Sequence, residues 1–176
     1  IMPDGDDYKA TLTVKNTSER DGDEVVQIYY TALNSAVSRP IKKLCGFERV
    51  HIKAGESVKV EAKIWHRMLE IYNVRNGENV LESGDYRFMA GASSADIRLD
   101  KTIHIEADSL GTRPAEFLAE TFDRYKDTVI KYSKTWGHYI IGKGWGCNVS
   151  YDGLSLSGKK TLTVWASSIH GRGRIY

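Results

Sequence analysis

Four aromatic residues in the last third of the chain, Trp136, Tyr139, Trp145 and Tyr151, stand close together among glycines. Sugar rings present apolar C–H faces that stack on aromatic planes, and their rim hydroxyls need polar partners. Aromatics beside glycine-rich loops are therefore candidates for carbohydrate contact. Filling a small β core is the competing use of the same residues. Tyr139 and Trp145 are the leading candidates, because the glycine-flanked stretch Gly137–Gly146 can hold a ring in solvent. Trp165 sits mid-strand in the expected pattern and is a poorer choice.

Other residue types point away from catalysis. Glu24, Glu48, Glu56 and Glu61 fall on expected strands or turns, where charged side chains are solvated. Gly142-Lys143-Gly144-Trp145-Gly146 lacks the strand–loop–helix context and the Lys-Ser/Thr ending of a phosphate loop and reads as a turn. The histidines, His51, His66, His104, His138 and His170, contain no H-x-x-x-H pair, so no metal site is expected from them. Cys45 and Cys147 lie far apart with no C-x-x-C spacing and read as reduced, partly buried thiols. Asn16-Thr17-Ser18 and Asn148-Val149-Ser150 are glycosylation sequons whose default reading is chance.

The bulk properties set the frame. The chain has 176 residues, 41% hydrophobic and 27% charged, which is a globular balance rather than a disordered one. A net charge of +2 gives no electrostatic footprint for nucleic acid. No apolar run reaches the roughly 18 residues of a membrane helix. The N-terminus has no basic and apolar signal-peptide pattern, and Ile1 before Met2 suggests a start inside a longer chain, which leaves the compartment open.

Strands positioned by period-two patterning dominate the first hundred residues. Tyr8, Ala10, Leu12 and Val14 alternate with polar residues, as do Val58, Val60, Ala62 and Ile64. Val25 to Tyr30 is apolar on both faces and should be central. Gly46 breaks the run Leu44 to Ile52 and suggests a bulge or bend. Tyr86, Phe88 and Ala90, then Ile97, Leu99, Ile103 and Ile105, complete about seven strands in about 100 residues, the size of an immunoglobulin-like sandwich. The stretch around Arg67 to Tyr72 reads as a turn of helix on a loop. The expected fold class is all-β: a sandwich over residues 1–107, a linker at 108–114, and a partial, jelly-roll-like β-sandwich segment over 115–176. Leu162, Val164 and Ala166 suggest a strand in that last segment, which is too short for a complete sandwich and is expected to be truncated.

Several stretches resemble a known family. Val14 to Tyr30, Arg39-Pro40 with Lys43-Leu44-Cys45-Gly46-Phe47-Glu48-Arg49-Val50, Ala54-Gly55-Glu56-Ser57 (Ala54 where proline is usual), Glu82-Ser83-Gly84-Asp85-Tyr86 and Gly91 to Ile97 resemble, in order, the fibronectin type III-like domain of family 3 glycoside hydrolases. Those enzymes cleave glycosides with two carboxylates in upstream catalytic domains. The quoted motifs carry neither carboxylate, so no catalytic residue is assigned here. The resemblance implies a non-catalytic C-terminal accessory region of a β-glucosidase or β-xylosidase, with the upstream domains of the same polypeptide as partner. A free-standing carbohydrate-binding or adhesion module, with the sandwich as spacer, is the alternative.

Residues 115–176 resemble the opening of a family 6-type carbohydrate-binding module. The likeness rests on Ala119-Glu120-Thr121-Phe122-Asp123, Tyr151 to Gly158, and Thr163 to Ser167, with Trp165 where arginine is common. It implies β-linked oligosaccharide as ligand and makes Glu120 a calcium candidate.

Overall fold

The computed structural model describes residues 1–107, 109–135 and 137–165, built of antiparallel strands with one short 3₁₀ turn at His66–Met68. The first nine strands are β1 (Met2–Asp4), β2 (Asp7–Lys15), β3 (Gly22–Leu33), β4 (Lys43–Ile52), β5 (Ser57–Ile64), β6 (Ile71–Asn73), β7 (Glu78–Val80), β8 (Gly84–Gly91) and β9 (Ile97–Ile105). One sheet has the order β1-β2-β5 and the facing sheet β4-β3-β8-β9, with β6-β7 a small separate ribbon.

Side-chain alternation explains the closure. On β5, Val60, Ala62 and Ile64 are buried while Lys59, Glu61 and Lys63 face water. They meet Val26, Ile28 and Tyr30 of β3 and Tyr86 and Phe88 of β8 in one core cluster. The rings of Tyr30, Tyr86 and Phe88 pack with centroids 5.8 to 6.5 Å apart. Each fully buried side chain of this size contributes about 1.5–3 kcal/mol.

Strand β3 is central, as its two apolar faces require. Tyr29, on the face away from the core, is buried opposite Leu44 and Met89. The β3–β4 register shifts between Ile28 and Tyr29, whose partners are Gly46 and Leu44. Cys45 is therefore the extra, bulged residue, and it is buried in the core. Gly46 has a different task beside it: an added Cβ there would overlap the Lys63 carbonyl oxygen of β5. The glycine lets the two sheets approach.

Beyond the sandwich, β10 (Arg124–Lys126) pairs with β13 (Asn148–Ser150), and β11 (Thr128–Ser133) pairs with β12 (Gly137–Gly142). The structure differs from the sequence pattern after Tyr151: residues 151–165 form no strand. Leu156, Leu162 and Val164 stay exposed, and no described strand offers their backbone a partner. Alternation alone does not make a strand without a ladder to join. Ala166 lies outside the described residues.

Candidate functional site

The aromatics singled out by sequence end in different environments. Trp145, in the loop between β12 and β13, is fully exposed. Tyr139 lies on β12, half-buried and opposite Lys131. Tyr151 packs inward: its ring centroid is 5.2 Å from that of Phe117, and its hydroxyl donates to the Ala119 carbonyl at 2.6 Å. Burial raises its phenol pKa above the ordinary value. Trp136 lies outside the described residues. Trp165 is exposed as well. Glu120 faces His138, with 3.6 Å between Oε1 and Nδ1. Among the described residues, no group of three His, Cys, Asp or Glu side chains gathers in metal-binding geometry.

Sequence reasoning missed the most buried polar cluster. Asp123 Oδ2 accepts from Arg113 Nη2 at 2.7 Å and from the Asp152 N–H at 2.6 Å, while Oδ1 accepts from Arg75 Nε at 3.1 Å. The Arg113 and Asp123 side chains are 0% and 1% exposed. Arg113 also lies over the rings of Phe117 and Tyr151, at 4.7 and 5.4 Å from their centroids. Burial pushes the Asp123 carboxyl up, but the Asp152 N–H and the two guanidiniums outweigh it and hold the group below its ordinary 3.8. Arg75 belongs to the β6–β7 turn, so this cluster ties the second segment to the sandwich. Asn73 Nδ2 reinforces it by donating to the Leu110 carbonyl at 2.9 Å, and the Ser38 N–H donates to the Asp123 carbonyl at 3.1 Å. The advance signals were Asp123, at the end of Ala119-Glu120-Thr121-Phe122-Asp123, and Tyr151-Asp152, at the start of the second quoted stretch.

Within the sandwich, the motif residues assemble at one corner. Arg39 Nη2 pairs with Glu82 Oε2 at 2.7 Å. The same carboxylate accepts from Ser35 Oγ at 2.6 Å and the Ala36 N–H at 2.7 Å. Tyr86, at the start of β8, donates its hydroxyl to the Glu82 carbonyl at 2.8 Å, the tyrosine corner of immunoglobulin-like sandwiches. Two loops and a strand are thereby fixed at one point. By contrast, Glu48, Glu56 and Glu61 are exposed, and Glu61 lies between Lys9 and Lys59.

The comparisons agree with this architecture. Residues 24–94 match the profile of the fibronectin type III-like domain. The chain is 40% identical over 105 residues to a beta-glucosidase of Kluyveromyces marxianus, covering 58% of this chain and 12% of that protein. It is 36% identical over 96 residues to an exo-alpha-(1->6)-L-arabinopyranosidase of Bifidobacterium breve, covering 54% of this chain and 13% of that protein. A crystal structure of a GH3 beta-glucosidase from Bifidobacterium adolescentis superposes with a TM-score of 0.58 at 30% identity, over 65% of this chain and 17% of that one. The chain thus carries a fibronectin type III-like domain of the kind found in GH3 beta-glucosidases, and it spans a small fraction of the length of these relatives.

Proposed function

We propose that this chain is a non-catalytic, C-terminal accessory region of a family 3 glycoside hydrolase, a β-glucosidase or β-xylosidase, divided near residues 108–114. In this reading the sandwich rests on the upstream catalytic domains of the same polypeptide and stabilises them. One observation carries it: relatives named for different glycosidase activities share this sandwich, and it makes up 12% and 13% of their length. A module common to enzymes of different printed specificity suits a supporting role, because specificity resides in the catalytic pocket. The test is to assay the chain on aryl β-glucosides and β-xylosides. Turnover at the buffer-blank level is expected, and turnover well above the blank sinks the reading.

A second, carbohydrate-contacting role in the region after the sandwich is favoured by the full exposure of Trp145 on its glycine-flanked loop. Tyr139, on the neighbouring strand, is the companion candidate. Trp145→Ala is expected to abolish any chemical-shift response of this loop to xylo- or cello-oligosaccharides. An unchanged response removes Trp145 from the role.

A further inference from the structure

An open cavity of about 580 Å³ lies beside the β1–β2 turn, lined by Asp6, Asp7, Trp65, His66, Arg67 and Glu70. Its volume falls in the range of small-molecule sites, roughly 300–1,000 Å³. Trp65 is 41% exposed there, although it directly follows the last core residue of β5, Ile64. Its position is well fixed: Asp7 Oδ1 accepts from the His66 N–H at 2.8 Å, and Asp7 Oδ2 pairs with Lys63 Nζ at 2.8 Å. Asp7 therefore braces the backbone on which the indole stands.

Around the ring the charges are mixed. Asp6, Asp7 and Glu70 contribute carboxylates, and Lys63 and Arg67 contribute cations. Among the described residues, Asp6 has no hydrogen-bonding partner and Arg67 has no carboxylate partner. Both cations lie 5.9 Å from the Trp65 ring, near the outer limit of a cation–π contact. Glu70 holds His66 only at 3.5 Å. Asp7 and Lys63 already pair with each other, so an anionic ligand meets the Asp6 and Glu70 carboxylates here, and a cationic one meets Arg67. A neutral polyhydroxylated ligand satisfies both signs, because each hydroxyl donates to a carboxylate and accepts from a guanidinium or imidazole. Its C–H face takes the indole plane.

We propose that Trp65, Asp6, Arg67 and Glu70 form a surface site for a neutral pyranose, separate from the Trp145 loop. The choice of β-linked sugars as first probes rests on the accessory reading above; the geometry of the site does not.

The experiment is an NMR titration of the full chain with cellotriose, xylotriose and maltotriose, following the tryptophan indole N–H resonances. Saturable shifts at the Trp65 indole and at the amides of Asp6, Arg67 and Glu70 are expected, with a dissociation constant in the millimolar range. Trp65→Ala should weaken binding by about tenfold or more. Asp6→Asn and Glu70→Gln, which keep the shape, should each weaken it by a few fold, and Trp145→Ala should leave the Trp65 response unchanged. A response only to maltotriose supports the site and removes the β-glycan assignment. Shifts confined to Trp145, affinity unchanged by Trp65→Ala, or no saturable shift with any sugar overturns the proposal.

Discussion

Arg39 and Glu82, 43 positions apart, meet at 2.7 Å with side chains only 7% and 11% exposed. This pair joins the loop leading into β4 to the loop leading into β8, beneath the Tyr86 hydroxyl. Removing one partner leaves the other charge buried and unmatched. Arg39→Ala or Glu82→Ala is therefore expected to cost about 3–5 kcal/mol. Tyr86→Phe, which leaves the Glu82 carbonyl without its donor, should cost about 1–2 kcal/mol. Urea unfolding followed by tryptophan fluorescence measures both. A loss below about 1 kcal/mol for Glu82→Ala contradicts this account of the corner.

Asp123 provides a pH test. Its folded pKa is depressed, so its contribution is fully present above the unfolded value of 3.8 and is lost as pH falls through the lower folded pKa. Protection of the amides in residues 110–123 and 148–153, relative to their intrinsic exchange rates, should fall as pH drops below about 4, before the sandwich amides lose theirs. Asp123→Asn should produce the same local loosening at neutral pH. Unaltered exchange in that variant means that the arginine cluster does not hold the segment.

Gly46 tests the approach of the sheets. Gly46→Ala forces a Cβ onto the Lys63 carbonyl and should cost about 1–3 kcal/mol. Gly22→Ala, where an added Cβ meets nothing within 4 Å, is the control and should change the urea midpoint far less.

Thiol chemistry separates the cysteines. Burial raises the Cys45 pKa to about 12, and its Sγ donates to the Ile28 carbonyl at 3.3 Å. Cys147 is free and half-exposed. A disulfide-exchange reagent at neutral pH should titrate one thiol in the native chain and the second only after denaturant. Equally fast reaction of both shows that the bulge at Cys45 opens readily.

Much of the sandwich was legible because period-two alternation and its core face coincide, as on β5 and β3. Gly46 pointed to the bulge, although the bulged residue is Cys45 and the glycine answers to the other sheet. Motif residues such as Arg39, Glu82 and Tyr86 were visible as letters, but their meeting at one corner is a tertiary fact. Arg75 sat in a polar, turn-like run with no hint of burial, because a guanidinium becomes a core group only once its carboxylate arrives from elsewhere in the chain. Leu162 and Val164 show the reverse failure: a good local pattern with no described neighbour to pair with. Trp65 gave no signal, since one aromatic after an alternating strand reads as its continuation.

The arginine cluster also orders events in time. Asp123 lies 48 residues after Arg75, whose turn joins β6 and β7 just beyond β5. During synthesis from the N-terminus, β1 to β9 have all been made before Asp123 exists. All nine strands of the sandwich are therefore available to pair while Asp123 is still to come, and the lock, which also takes the Asp152 N–H, can close only after them.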